Sequence, residues 1–586
     1  MKKIVLSIML LFALTMSGQI SPTPISSPTP IDWTKMGDNE GASFYEIQNT
    51  FNAHWEGKTI TKGCGYKPFR RWEAFMIPRV YPTGNVILPY TNYENFKTWA
   101  KQNNVNSRSA TAVGNWSPLG PVGKPLTSPA NALRTGTGRL NFIRVDPTDS
   151  MIIFVGAPDG GVWRSTNGGA SWSTNTDFLG VIGCNDLVFD PNNTQTIYLA
   201  TGDLEGDRRS IGILKSTNGG NTWNTTGLSW TVQQGYKTSR LLMDTANPLK
   251  MLVTTNRGVF MTTDGWVTST TGTFPGGALP NLKDAELKPN TPNTVYASGT
   301  ELYKSTNFGA SWTQVTSGLP TSNVSRIALA VTPGNANYVY AVIGKASNES
   351  FLGFYKSSNS ASSFTTQYDD TDSINILGYD LDGQDKTAGQ AFYDLVIAAN
   401  PTNPDNVTVS SINQWQTNDG GYTWDIISHW TGDGGKPTVH SDFHEITYQP
   451  GSSTTLYAGS DGGIWRSRDN GVNWTDISNN LNISQVNKFG ISQSDSTLIN
   501  AGMQDNGTNF KTGTDWHNIF GGDGGESFID HSDNNTLYFC YTNSQIHRSD
   551  DGGLTENQVT NGLPNGGASG ADFYSSFHQD PVVASR

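Results

Sequence analysis

Cysteine is nearly absent from this chain of 586 residues. Cys64, Cys184 and Cys540 are far apart and odd in number, which excludes a disulfide framework and leaves buried or unpaired thiols. No Gly-x-Ser-x-Gly elbow, Walker loop or Cys-x-x-Cys pair occurs, so the signals of α/β-hydrolase, phosphate-loop and dithiol chemistry are missing. Charge is also scarce, at 15% of residues, and its balance of −12 is acidic. Nucleic acid needs a basic footprint and is excluded as a partner. After residue 20 no apolar run is long enough to span a bilayer. The first residues are different: Lys2 and Lys3, an apolar core from Ile4 to Met16, then small Ser17-Gly18. That is the pattern of a secretory signal, so the expected product is a secreted or cell-surface monomer without a transmembrane segment.

What the chain does have is glycine, at 64 residues, with 28 prolines and 11% aromatics. Many short strands joined by glycine-rich turns suit an all-β repeat. The repeat is visible as Arg164 to Trp172 (RSTNGGASW), and it returns as Lys215 to Trp223, Lys304 to Trp312, Gln416 to Trp424 and Arg466 to Trp474. Weaker copies are Met261 to Ser269, Lys356 to Phe364 and His547 to Thr555, and a degenerate unit centres on Trp516. A spacing of roughly 40–60 residues points to a propeller or array. In each copy an Asn or Asp such as Asn167 can accept backbone N–H groups two or three residues on. The following glycine supplies positive φ, and the aromatic residue leaves the turn on a strand to wedge between sheets. The pattern Ser-x-Asn/Asp-x-Gly-x-Ser/Thr-Trp resembles the Asp-box (BNR repeat) of sialidases, sortilin/VPS10-like receptors and some glycoside hydrolases. That resemblance implies four-stranded propeller blades with the Asp-boxes on the rim, away from any active site.

In order along the chain, residues 1–19 read as the signal peptide and 20–34 as a Pro/Ser linker. Residues 35–110 read as a helical brace or a propeptide. Phe44, Ile47, Phe51 and Trp55 give one amphipathic helix, and Tyr93, Phe96 and Trp99 suggest a second. Blades follow over 111–400 and 401–586, as two seven-bladed propellers, the second incomplete, or as one large ring. The last unit is followed by nothing that obviously closes a ring, so the second half is expected to be truncated. Tyr198, Tyr296, Tyr340, Tyr457 and Tyr538 recur at the second-strand position and are expected to pack between blades.

Three constellations stand out. Asp159, in Pro158 to Arg164 (PDGGVWR), and Asp461, in Ser460 to Arg466 (SDGGIWR), each sit at the turn opposite the Asp-box in their blade. The first resembles the Asp-x-Gly-Gly-x-Tyr-Arg element of xyloglucan-active family 74 glycoside hydrolases, with one residue fewer. The resemblance implies Asp159 as general base, with an acid from Asp461, Asp505 or Asp523. The second constellation is His440, Asp442 and His444, which would alternate onto one face of a strand. Imidazoles and a carboxylate together can ligate a transition metal or run acid–base chemistry; the alternative is a polar structural plug of the channel. The segment resembles the His-x-Asp-x-His of Asp-box bacterial proteins of unassigned role. The third comprises Asp505 and Asp523 in Asn/Gly-rich loops, which suit turns, ligand contacts or Ca²⁺. A sialidase Arg-Ile-Pro element is missing, since Ile77-Pro78-Arg79 has those residues in another order.

These features describe a propeller that binds a glycan or peptide at its mouth. The alternative is an inverting, family 74-like glycoside hydrolase acting on a β-glucan such as xyloglucan. Candidate catalytic residues are Asp159, Asp442 and Asp461. Candidate ligand contacts are His440, His444, Asp505 and Asp523, and no motif demands a cofactor.

Overall fold

The repeated turn shows why the chain folds as it does. The Ser165 hydroxyl accepts the N–H groups of Asn167 and Gly169 and donates to Asn167 Oδ1 at 2.9 Å. Asn167 Oδ1 then accepts the N–H of Ser171 at 2.9 Å. The side chain therefore reaches four residues on, further than expected, because the serine hydroxyl already takes the nearer N–H groups. Gly168 and Gly169 carry φ of 69° and 86°, where a Cβ would be strained. The same bonding recurs at Ser216/Asn218, Thr262/Asp264, Ser305/Asn307, Ser357/Asn359, Thr417/Asp419, Ser467/Asp469 and Ser549/Asp551. The unit at Trp516 departs from it: Gly507–Thr512 and Asp515–Phe520 meet in a tight turn at Gly513-Thr514.

Each turn closes the outer half of a blade. In the first blade, Phe142–Val145, Ile153–Ala157, Gly161–Ser165 and Ser173–Thr174 pair antiparallel in sequence order. Among the described residues of this computed structural model nine such sheets are present. It describes residues 30–563 apart from 40, 61–63, 104–116, 128–134 and 178, together with 571, 573–580 and 582. The expected signal peptide, and the linker up to residue 29, lie outside the described residues. The eight later blades start from inner strands Cys184–Phe189, Thr238–Met243, Asp284–Leu287, Val324–Val331, Val396–Ala399, Phe443–Tyr448, Val486–Ile491 and Ser527–Ile529.

The first seven blades form a closed ring. Each inner strand packs beside the next, and Phe443–Tyr448 of the seventh packs back against Phe142–Val145 of the first. Among the described residues the closure uses no exchanged strand. It rests on a shared apolar cluster of Leu140, Ile143, Trp172, Tyr457, Ile464 and Ile477, and on hydrogen bonds across the seam. Trp172 Nε1 donates to the Ile477 carbonyl at 2.8 Å, Arg466 Nη1 to the Gly168 carbonyl at 2.9 Å, and the Thr137 N–H to the Gly462 carbonyl at 2.9 Å. Tyr198, Tyr296, Tyr340 and Tyr457 are fully buried between sheets, as expected of packing residues; Tyr538 is only partly buried. Residue 400, the expected division between the halves, falls within the sixth blade of this ring.

The eighth and ninth blades pack on each other outside the ring, so a single nine-bladed wheel is not what forms. Leu126–Thr127, from before the first blade, adds a fifth, parallel strand to the eighth, opposite His517 and Asn518. Trp516 Nε1 donates to the Leu119 carbonyl at 3.0 Å. The segment entering the ring is thus tied to the blade that follows it.

The N-terminal residues form a separate unit. Its first helix, Phe44–Trp55, has a complete capping box between Ser43 and Glu46. A helix at Tyr66–Val80, unread in the sequence, follows it, and Leu88–Gln102 is helical as expected. Pro68 and Pro78 obscured the middle one: the first lies in the opening turn, where a missing N–H costs nothing, and the second near the end. Phe51 stacks on Phe69 at 3.8 Å in the core of this unit.

Ser165→Ala should strand the Gly169 N–H at a position that is 1% exposed. The expected loss is about 1–3 kcal/mol, read as an earlier thermal unfolding transition; an unchanged transition would show that the turn is not what holds the outer strands.

Candidate functional site

Turns between second and third strands, and the loops leading into inner strands, lie at the end of each blade opposite the Ser–Asn/Asp turns. Charge in this charge-poor chain concentrates on that face and along the ring axis. On the axis, Arg144 pairs with Asp186 at 2.6 Å and Glu445 at 2.9 Å, while Arg240 pairs with Asp284 at 2.9 Å and Glu445 at 3.2 Å. Burial and neighbouring Asp284 push Glu286 up to about 8. Side chains from blades one, two, three, four and seven therefore fill the channel, which is a plug and leaves the loop face as the candidate site.

That face carries a second, denser network. Glu205 sits in the charged insertion Asp203 to Arg208 of the second blade. It receives Arg326 at 2.5 Å, Arg139 at 3.3 Å and His444 Nδ1 at 2.8 Å. The other imidazole nitrogen, His444 Nε2, meets Asp461 Oδ1 at 3.0 Å. Tyr393 lies edge-on to the His444 ring, with centroids 4.7 Å apart, and donates its hydroxyl to Asp461 Oδ2 at 2.9 Å. Burial opposes the Glu205 carboxylate, but Arg326, His444 and Arg139 outweigh it and hold its pKa well below the usual range. Burial likewise opposes His444 as a cation, with Arg139; Asp461 and Glu205 overcome both and raise it. For Asp461, burial is outweighed by His444, Arg139 and Tyr393, so its pKa is lowered. Asp442 is raised by burial and by Asp461, and Asp394 is raised well above the ordinary carboxyl value by burial, Asp442 and Asp461.

The structure brings together Asp442, Asp461 and Asp505, whose carboxylate oxygens lie within 4.8 Å of one another. Asp523 adjoins them by accepting the Asp505 N–H at 3.2 Å. Asp442 and His444 do not alternate along one strand as expected. The strand begins only at Phe443, Asp442 has a φ of 65°, and a bulge between Phe443 and Glu445 leaves His444 without a strand partner. The bulge re-aims the imidazole across the face. The expected His440/Asp442/His444 metal set is not formed: both nitrogens of His444 are engaged, and His440 packs its ring on Gly462 with Nδ1 3.2 Å from the Ser441 carbonyl. Asp159 occupies in the first blade the turn that Asp461 occupies in the seventh, in a different environment. Asp461 is fully buried, whereas Asp159 is half-exposed and pairs with Arg208 at 2.5 Å. Burial raises its pKa against the pull of Arg208.

Glu205, Arg139, Arg326, Tyr393 and Asp394 were not singled out from the sequence. The insertion DLEGDRR at Asp203 to Arg209, a charged run in a charge-poor chain, was the available signal. Tyr393 and Asp394 had none, because they lie in the irregular connection before the sixth blade.

A pocket opens on the same face, lined by Leu279, Lys283, Gly299, Glu301, Tyr303 and Ser325. Lys283 donates to the Phe392 carbonyl at 2.5 Å, and burial with Arg326 lowers its pKa to about 8. Beside it Ser325 donates to Glu349, which burial pushes up to about 7.

No family model matches the chain. Among curated proteins it is similar to a xyloglucanase of a Paenibacillus species, 24% identical over 380 residues, covering 61% of this chain and 27% of that protein. It is also similar to the xyloglucanase Xgh74A of Acetivibrio thermocellus, 33% identical over 103 residues, 14% of this chain and 12% of that one. The chain thus spans about a quarter or less of the length of these relatives. Among solved structures it is similar to a GH74 xyloglucanase from Xanthomonas campestris, with 14% identity, 74% of this chain and 75% of that one covered, and a TM-score of 0.49. A Niastella koreensis GH74 enzyme gives 16% identity, 75% and 74% coverage, and a TM-score of 0.46.

Two outcomes test this network. Glu205→Gln removes the counter-charge of two buried arginines and an imidazole, and should cost about 3–5 kcal/mol, seen in chemical denaturation; a change below about 1 kcal/mol would mean that solvent already serves those cations. Glu349 has a folded pKa above its unfolded value, so the folded state binds more protons between about pH 4.5 and 7 and stability falls as pH rises through that window. Glu349→Gln should therefore unfold at a higher temperature than wild type at pH 8, and the gain should vanish at pH 4.

Proposed function

We propose that the chain is a glycoside hydrolase acting extracellularly on a β-glucan such as xyloglucan. The support is its similarity to xyloglucanases over 380 residues together with one observation on the loop face: Asp159, a half-exposed carboxyl group with a raised pKa. Hydrolysis of a glycosidic bond needs two carboxyl groups, one to protonate the leaving oxygen and one to activate water or attack the sugar. A carboxyl pKa moved toward neutrality serves such proton transfer. In this reading Asp159 is the base, Arg208 orients it, and the acid comes from the eighth blade, where Asp505 and Asp523 adjoin. A polysaccharide chain would lie across the loop face between the first and eighth blades. Asp442 and Asp461 hold the loops in place through Gln390, Tyr393 and His444.

The test is a hydrolysis screen on xyloglucan and mixed-linkage β-glucan with wild type, Asp159→Asn and Asp523→Asn. Soluble oligosaccharide is expected from wild type, with both substitutions lowering kcat at least about a hundredfold. Wild type that retains polysaccharide on a native affinity gel yet releases no product would instead make the face a glycan-binding surface.

A further inference from the structure

Asp442, Asp461 and Asp505 come from three separate stretches of chain and converge at one point, and Asp394, from a fourth, adjoins Asp442. Each of these three presents an oxygen within 4.8 Å of the others. That spacing is what oxygens around one Ca²⁺ adopt, each about 2.3–2.6 Å from the ion. Asp394 supplies a separate observation. Its side chain is fully buried, its Oδ1 accepts only a long 3.3 Å bond from Ser411, and no donor reaches its Oδ2. This carboxyl lies within hydrogen-bonding reach of Asp442 and so faces the cluster. A buried carboxylate oxygen without a donor is costly, and native structures satisfy such groups with a partner or an ion.

The local cations do not supply that partner. Arg139 is shared between Asp203 and Glu205, and His444 between Glu205 and Asp461. Among the described residues neither Asp394 nor Asp442 forms an ion pair with a lysine or arginine; Asp442 Oδ1 is met by the Gln390 amide at 3.0 Å. We propose that Asp442, Asp461 and Asp505, with Asp394 beside them, bind one hard divalent cation, Ca²⁺. The donors are all carboxylate oxygens, and both nitrogens of His444 are occupied, a set that suits Ca²⁺ and not the softer transition metals. Asp394, Asp442 and Asp461 belong to the sixth- and seventh-blade side of the ring, whereas Asp505 sits on the hairpin between Ile499–Met503 and Gly507–Thr512 of the eighth blade. The ion would join ring to eighth blade, beside the Asn506 amide that already donates to the Asp461 carbonyl at 2.9 Å. Assigning Asp505 to the cation leaves Asp523 as the eighth-blade acid, but the site itself does not depend on glycosidase activity.

The full chain, stripped with EDTA and dialysed, is titrated with CaCl₂ by calorimetry, and its unfolding temperature is followed in parallel. One Ca²⁺ per chain is expected, with a rise in unfolding temperature as the folded state is drawn by mass action. Asp505→Asn and Asp442→Asn should each weaken binding at least about tenfold. Asp551→Asn, on the exposed turn of the ninth blade, should bind like wild type. Unfolding temperatures in EDTA establish that each variant is folded, and either aspartate variant decides the matter if the other is not. Absence of Ca²⁺ binding by wild type, or wild-type affinity in a folded Asp505→Asn or Asp442→Asn chain, overturns the site.

Discussion

A serine or threonine hydroxyl that takes a backbone N–H four residues on is the contact from which the rest of this protein follows. It turns the chain through a hairpin whose next two residues have positive φ, positions that glycine fills most often but that Ser360 and Ala361 fill in the fifth blade. In six of the seven ring blades it also releases an aromatic ring at a fixed distance from the turn, the third having Ser269 there. That ring has too little of its own blade to cover it and is buried only against the next one, as Trp172 is against Ile477 of the seventh blade. A turn that is local in sequence therefore creates an obligation between sheets. Such obligations, passed from blade to blade, can all be met only if the last sheet returns to the first, which is why the seam needs no exchanged strand.

Because the turns consume one end of every blade, the other end is free to diverge. Asp159 and Asp461 show how far. Both follow the second strand and precede Gly-Gly, yet one faces solvent beside Arg208 and the other is sealed beneath Tyr393 and His444. The difference is made by insertions elsewhere: Asp203 to Arg208 brings Glu205 over the ring, and the connection before the sixth blade brings Tyr393 and Asp394. Function in a propeller is set by loops of this kind, carried on a scaffold whose regularity says little about chemistry.

The fold was legible for the same reason that the site was not. Repeated turns write themselves into the sequence nine residues at a time, and a propeller of four-stranded blades follows from Ser165, Asn167, Gly168 and Trp172 alone. The seven-to-two division of blades was not legible, because ring closure depends on packing between residues three hundred positions apart, such as Leu140 and Tyr457. At the site, Asp442, Asp461, Asp505 and His444 stood out as unusual residues in turns and strand starts. Their mutual contacts did not, since a bulge at His444 and a left-handed residue at Asp442 break the alternation that strand spacing implies. Glu205 and Asp394 sit in irregular connections where no periodicity places a side chain.

Buried charge carries the last step. Desolvating a carboxylate costs several kcal/mol even after relaxation, and this chain, with few charged residues to spend, places a large share of them out of solvent around the ring axis and its loop face. The axial group closes on itself, with Arg144 and Arg240 matched to Asp186, Asp284 and Glu445. The loop-face group does not: three cations, Arg139, Arg326 and His444, serve Asp203, Glu205 and Asp461, and among the described residues Asp394 and Asp442 pair with no lysine or arginine. Each of those axial carboxylates meets an arginine, whereas two carboxyls a few residues away meet none; that contrast marks the second place as the one that expects something from outside the chain.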